Sequence, residues 1–311
     1  MARAAEITDK SPTRLPSNAS IYSQRARYFD SETAFNMSLS AIPGDSFVSE
    51  RDRAFDPETG TKLLLLDQSA AMNLSFPATT PLVLAAYARI QAGDVLRHEP
   101  CASTVFCFVI EGQGHAIQGK DRIQWGKGDV FCLPGGVPIS YVSGGEDSIL
   151  WLVSNEPQLA FERFTPPEAS AALVRATHFP AAQIEEELLS ADSRLADRNA
   201  AGLAVILSSE RLEESRNLSP SLTLAMNQLG AGEVQPPHRH NSVAVSLVVN
   251  APDCFSMIDG VRKDWSPWST VVTTPGSVHS HHNEGSGQAN WLIVQDGGLY
   301  YHCRTMGFSY S

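Results

Sequence analysis

The chain has 311 residues and a formal charge of −11, a length beyond the roughly 100–200 residues of one domain. Its negative charge opposes the attraction that nucleic acid and anionic membranes require, so a small-molecule partner is expected, with no nucleic acid and no membrane. Five cysteines without regular spacing or any Cys-x-x-Cys pair (Cys101, Cys107, Cys132, Cys254 and Cys303) are expected to be reduced and buried, and no signal-like or 18-residue apolar run occurs, which predicts a cytoplasmic protein.

In chain order, residues 1–78 carry Pro, Ser and charge with scattered aromatics such as Tyr22, Phe29 and Phe47, and are expected to form an arm on a barrel or a partner subunit. The triplets at Asn18, Asn36 and Asn73 need a secretory route to be glycosylated and carry no weight. Residues 79–160 and 203–311 are two copies of one pattern. Ala92-Gly93-Asp94-Val95 recurs as Ala231-Gly232-Glu233-Val234, an offset of 139. Ile117-Gln118-Gly119 recurs as Ile258-Asp259-Gly260 and Pro134-Gly135 as Pro275-Gly276, now at 141, with the change placed in the loops Glu111–Gly114 and Asn250–Asp253. The runs Thr104–Ile110 and Val243–Val249 are near-continuous strand formers, and Asp259-Gly260 signals a two-residue hairpin. Short strands with frequent turns, duplicated, predict an all-β chain of two barrels. Residues 161–202 form the connector, helical from Pro180 to Leu189.

Five of the nine histidines fall in two clusters, His238-Arg239-His240 and His279-Ser280-His281-His282. On a strand, alternate residues face one way, so His238 and His240 can aim at one point about 6.6 Å apart along the chain, and the second cluster can supply a third ligand. Imidazole nitrogen binds first-row divalent metals at about 2.0–2.1 Å. His281 shares the face of His279, and His282 should point away. The isolated His178 and His302 are expected to be ordinary core or surface residues, and Trp265, Trp268 and Trp291 core or pocket wall. Tyr300 and Tyr301 are expected to end the final strand, where one of them can reach a pocket.

Gly232-x5-His238-x-His240 and Gly276-x-x-His279 with Asn283 resemble the two motifs of the cupin barrel, a double-stranded β-helix or jelly roll. Within it, Pro237–Asp296 is similar to the iron-bearing cupin of the gentisate and salicylate 1,2-dioxygenases. The likeness runs through His238-Arg239-His240-Asn241-Ser242-Val243-Ala244, Asp259-Gly260, Thr274-Pro275, His279–Gly285, Trp291-Leu292 and Asp296. The resemblance implies that His238, His240 and His279 bind Fe(II), one ion per chain, that His281 is a catalytic neighbour contacting substrate or oxygen, and that Ser246 and Asp296 are candidate substrate contacts. It implies a dioxygenase cleaving the ring of an aromatic hydroxy acid or related phenol with O2. A homo-oligomer is expected.

The chain departs from cupins in general in one place, which fits the dioxygenases, and from the dioxygenases in two. Ala244 and Val245 stand where many cupins carry a fourth, glutamate ligand, leaving a three-histidine site with its full positive charge. Ser246 stands where the family has a carboxylate-binding arginine, a loss of roughly 1.5–3 kcal/mol of charge-assisted pairing. The complete site lies in the second copy rather than the first. In the first, the offsets place Glu99, Cys101 and Pro138 opposite the three ligands and leave His98 and His115 without partners, so that copy is expected to be metal-free. The alternatives are a cupin isomerase, lyase or hydrolase using Mn, Ni or Zn, and a non-catalytic small-molecule-binding cupin.

Overall fold

The computed structural model describes residues 18–35, 38–194, 202–251 and 253–310; Asn36 of the second triplet, residues 195–201 of the connector and Pro252 of the expected loop lie outside them. The chain divides into two compact units, Met1–Ala41 and Ile42–Ser311. In the first, Ser20 caps a single-turn helix, Ile21–Arg25, by accepting the Ser23 amide, and the Asp30 carboxylate closes a turn on Glu32 and Thr33.

The second unit is built from four antiparallel sheets that make two cupin barrels. In the first barrel a six-stranded sheet (Thr177–Phe179, Val130–Leu133, Val105–Glu111, Ser148–Ser154, Leu84–Ile90, Lys62–Leu65) faces a four-stranded one (Val95–His98, Ile139–Ser143, Gly114–Gln118, Asp121–Trp125). In the second, six strands (Ser46–Phe47, Thr270–Thr273, Ala244–Asn250, Ala289–Gln295, Thr223–Leu229, Leu203–Ile206) face five (Val261–Asp264, Cys254–Ile258, His279–Asn283, Val234–His240, Phe308–Tyr310). The stretch expected as an arm thus feeds both barrels: Ser46–Phe47 pairs with Thr270 and Val271, and Lys62–Leu65 pairs with Ala86–Arg89.

The near-continuous apolar strands arise because they are buried on both faces. In Ser148–Ser154, Leu150 and Leu152 point into the first barrel, whereas Ile149, Trp151 and Val153 join a cluster that also holds Leu224, Met226, Leu247 and Leu292 of the second. Polar groups inside that seam are matched: Trp151 Nε1 donates to Thr270 Oγ1 at 3.0 Å, and Tyr87 bonds the same hydroxyl at 2.9 Å. The interior of the first barrel is packed with Cys107, Val109, Phe131 and Tyr141. In the second, Trp265, Trp291, Leu229 and Val248 fill only part of the interior.

Three expectations are corrected. Cys101 and Cys303 are exposed, and only Cys107, Cys132 and Cys254 are buried. Tyr300 and Tyr301 lie in a short helix, Gly297–Cys303, because Gly297-Gly298 interrupts the strand and Asp296 turns the chain back towards Val243. The repeat offset is 140 from the strand Gly114–Gln118 to Ile139–Ser143 and reaches 141 only at Ser148–Ser154, the counterpart of Ala289–Gln295. Gly119 takes the first hairpin position (φ 59°) and Gly260 the second (φ 79°, after Asp259 at 47°), so matching these glycines by identity shifts the register by one.

Candidate metal centre

His238 and His240 end the strand Val234–His240, which runs beside His279–Asn283 with one extra residue inserted between Gln235 and His238. Two adjacent prolines, Pro236 and Pro237, fit that bulge because neither has an amide proton to give the ladder. The bulge brings His238 directly opposite His279. The edge strand Phe308–Tyr310 then pairs with His238–His240 on the other side, and Gly276 donates to the His240 carbonyl at 2.8 Å. The three imidazoles are buried, with ligand nitrogens all within 4.8 Å of one another; among the described residues no other group of three His, Cys, Asp or Glu is so placed.

Each of these rings has its Nδ1 against a backbone carbonyl: His238 on Pro236 at 2.8 Å, His240 on Ser242 at 2.8 Å, His279 on Ser277 at 2.9 Å. A carbonyl can only accept, so all three carry the proton on Nδ1 and keep the Nε2 lone pair. Burial pulls His238 and His240 below the usual imidazole value and His279 down to about 4, so the rings are neutral at pH 7. Three neutral nitrogen donors, oriented by carbonyls and converging on one point, fit a first-row transition metal. Gln295 Nε2 sits 3.2 Å from His240 Nε2 and donates to that lone pair.

The rings open onto a cavity of about 550 Å³. His281 lines it, buried and held well below its usual pKa by desolvation, with Nδ1 2.8 Å from Ser256 Oγ; the Trp265 indole donates to the same oxygen at 2.8 Å. Ser246 lines it too. His282 points away and stacks on Phe255, centroids 4.5 Å apart. Asp296 is not among the lining residues: it is buried and accepts the Val243 amide at 2.9 Å, bracing the turn that carries the carbonyl partner of His240.

Sequence reasoning missed Asn227, Gln295, Arg216, Met306 and Phe308, all on the cavity wall, which Tyr301 also lines. Asn227 and Gln295 had a signal, since each is polar at an inward strand position where neighbours two residues away are Ala225 and Ile293. Arg216 had none; it follows a 3-10 turn, Glu213–Ser215, in a left-handed conformation, and is the sole Lys, Arg, Asp or Glu on the described lining.

The first barrel shows what the site lacks there. His98 lies opposite Ile139 as His238 lies opposite His279, and Tyr141 stands at the position of His281. The counterpart of the first ligand is therefore His98, not Glu99, and that of the third is Ile139, not Pro138. His98 keeps a half-buried ring with no partner on Nδ1, beside Glu156 at 4.0 Å.

No family model matches the chain. A segment of 89 residues is 32% identical to a gentisate 1,2-dioxygenase of Ralstonia sp., covering 29% of this chain and 25% of that protein. Another of 69 residues is 39% identical to a 1-hydroxy-2-naphthoate 1,2-dioxygenase of Nocardioides sp. (strain KP7), covering 22% and 18%. The matched segments span a quarter or less of these relatives. The whole fold is similar to salicylate 1,2-dioxygenase of Pseudoaminobacter salicylatoxidans in an adduct with gentisate, with a TM-score of 0.72 over 89% of this chain and 87% of that one, at 12% identity. At that identity the likeness bears on the fold. No helix of the described residues is long and apolar enough to cross a membrane. The chain has a two-barrel cupin fold and is similar, over part of its length, to gentisate and hydroxynaphthoate 1,2-dioxygenases.

Proposed function

We propose that the chain is an Fe(II)-dependent dioxygenase that cleaves the ring of an aromatic hydroxy acid or related phenol with O2. The observation that carries this reading is the set of three neutral, carbonyl-oriented histidines, without a carboxylate ligand, facing a cavity large enough for a one- or two-ring acid. The activities named for the relatives and the gentisate adduct of the structural neighbour support an aromatic acid as ligand.

His238, His240 and His279 would hold the metal. When bound, Fe(II) supplies a Lewis acid for a phenolate oxygen and a one-electron route between ring and dioxygen. The remaining work falls to the chain. Ala225, Ala244, Ile293 and Phe308 give the ring an apolar seat that excludes water, while Asn227, Gln295 and Ser246 offer polar contacts that orient its oxygens. Ser246 is neutral, so the charge that meets a substrate carboxylate is the Arg216 guanidinium at the wall.

The test is anaerobic reconstitution with Fe(II), followed by oxygen uptake with gentisate, salicylate, hydroxynaphthoates and hydroquinones. Uptake is expected with at least one ring acid. His281→Ala is expected to retain iron and lose turnover, and Arg216→Ala to raise KM about tenfold for carboxylated rings only. Uptake with none of the panel, in protein that keeps Mn or Zn tightly from expression, overturns the reading in favour of Lewis-acid chemistry.

A further inference from the structure

His281 differs from the three ligand candidates in what its Nδ1 faces. Each of theirs faces a carbonyl, which can only accept, although His240 Nδ1 also lies 3.1 Å from the Ser242 hydroxyl; that of His281 faces a serine hydroxyl alone, 2.8 Å away, which can donate or accept. Trp265 removes the ambiguity. An indole N–H only donates, and Trp265 Nε1 lies 2.8 Å from that Ser256 oxygen, so one Ser256 lone pair is taken. Ser256 is 1% exposed and its Oγ has no third partner among the described residues. If His281 also donated to it, the serine proton would be buried without an acceptor, at a cost of about 1–3 kcal/mol. Every group is satisfied only when Trp265 donates to Ser256 and Ser256 donates to His281 Nδ1.

We infer that Trp265 and Ser256 are positioning residues that hold His281 in the Nε2–H tautomer, opposite to that of His238, His240 and His279, so that it presents a donor to the cavity. The inference deepens the dioxygenase reading by giving His281 a defined role: an N–H aimed at an anionic oxygen of the bound ring or of dioxygen, with no lone pair to compete for the metal. The three ligand candidates offer lone pairs and His281 offers a proton, and the His281 ring is held between Trp265 and Trp291, with centroids 5.5 and 5.4 Å away.

The first barrel acts as an internal control. Ser256 lies opposite His281 in the ladder, and the same positions there hold Ala116 opposite Tyr141. Trp125 stands where Trp265 stands: Trp125 pairs with Gly114, and the Trp265 amide bonds the carbonyl of Cys254, the counterpart of Gly114. The tryptophan is therefore a core feature of both copies, but in the first its indole N–H is buried without a partner, because Ala116 offers no oxygen. Serine and histidine occur together only in the barrel with the ligand triad.

The test reads the tautomer directly, in metal-free protein labelled with 15N at histidine. Long-range 1H–15N correlation is expected to show Nδ1–H rings for His238, His240 and His279 and an Nε2–H ring for His281, assigned by its loss in His281→Gln. Ser256→Ala is expected to release His281 into a mixture of tautomers, and Ser256→Thr to restore Nε2–H. In iron-loaded protein Ser256→Ala should keep its metal and lower kcat with KM nearly unchanged. An Nδ1–H ring for His281 in the native protein overturns the inference, as does loss of iron in Ser256→Ala to the extent seen in His238→Ala. Because the spectrum needs no turnover, a failed activity assay leaves this outcome readable.

Discussion

The Asp296 carboxylate accepts the Val243 amide, and the neighbouring Ser242 carbonyl takes the His240 Nδ1 proton, so one buried acid braces the second ligand without touching the cavity. Burial raises its pKa to about 6, against an ordinary value of 3.8. Protonation then favours the folded state: the contribution is favourable below the ordinary carboxyl value and is lost as pH rises through about 6. Asp296→Asn keeps an acceptor for Val243 and removes the charge. Above pH 6 it is expected to be more stable than the native chain by about 2–3 kcal/mol, with the difference closing by about pH 4, in melts of both proteins across that range. A variant less stable at pH 7 would mean that the carboxylate is stabilised by a partner cation. Asp296 was visible in the sequence as part of the matched segment, but its task was not. That task depends on Val243, which only strand pairing brings beside it.

At the scale of elements, the sequence displayed the strands and concealed their register. Near-continuous strand formers and the Asp259-Gly260 turn are local properties, and the runs at Thr104–Ile110 and Val243–Val249 became strands displaced by one residue, Val105–Glu111 and Ala244–Asn250. The counterparts of the histidines were not legible: a glycine at the first or the second turn position looks the same in sequence and moves the ladder by one at His279, and the bulge between Gln235 and His238 moves it by one at His238. The helix Gly297–Cys303 was hidden for a similar reason. Its position depends on backbone from a distant loop: a Cβ on Gly298 would lie 2.6 Å from the Pro220 carbonyl oxygen and 2.7 Å from the Ser221 carbonyl carbon. Gly298→Ala must therefore push the helix off that loop. The expected loss is about 1–3 kcal/mol in urea unfolding, and since Thr223 and Tyr301 line the cavity on either side of this contact, KM should rise as well. An alanine variant as stable as the native chain would show that the loop yields freely.

For the Ile42–Ser311 unit as a whole, the seam between the barrels decides how the molecule unfolds. The apolar cluster runs unbroken from Tyr87, Phe106 and Trp151 to Leu224, Leu247 and Leu292, so neither barrel can open without exposing the outer face of the other. Chains of this size often unfold in steps, which makes a single transition informative. We expect far-UV circular dichroism and tryptophan fluorescence to give one coincident urea transition. Thr270→Val examines the seam directly. It removes the oxygen that Trp151 Nε1 bonds and one of the two partners of Tyr87 Oη, the other being the Trp268 carbonyl. The stranded indole N–H should cost about 1–3 kcal/mol. If the seam couples the barrels, the whole transition moves to lower urea and stays single. If the variant instead splits into two transitions, with the fluorescence of one barrel changing first, the barrels fold separately and the first is a scaffold by proximity alone. A single shifted transition would mean that the first barrel stabilises the histidine site through this shared core.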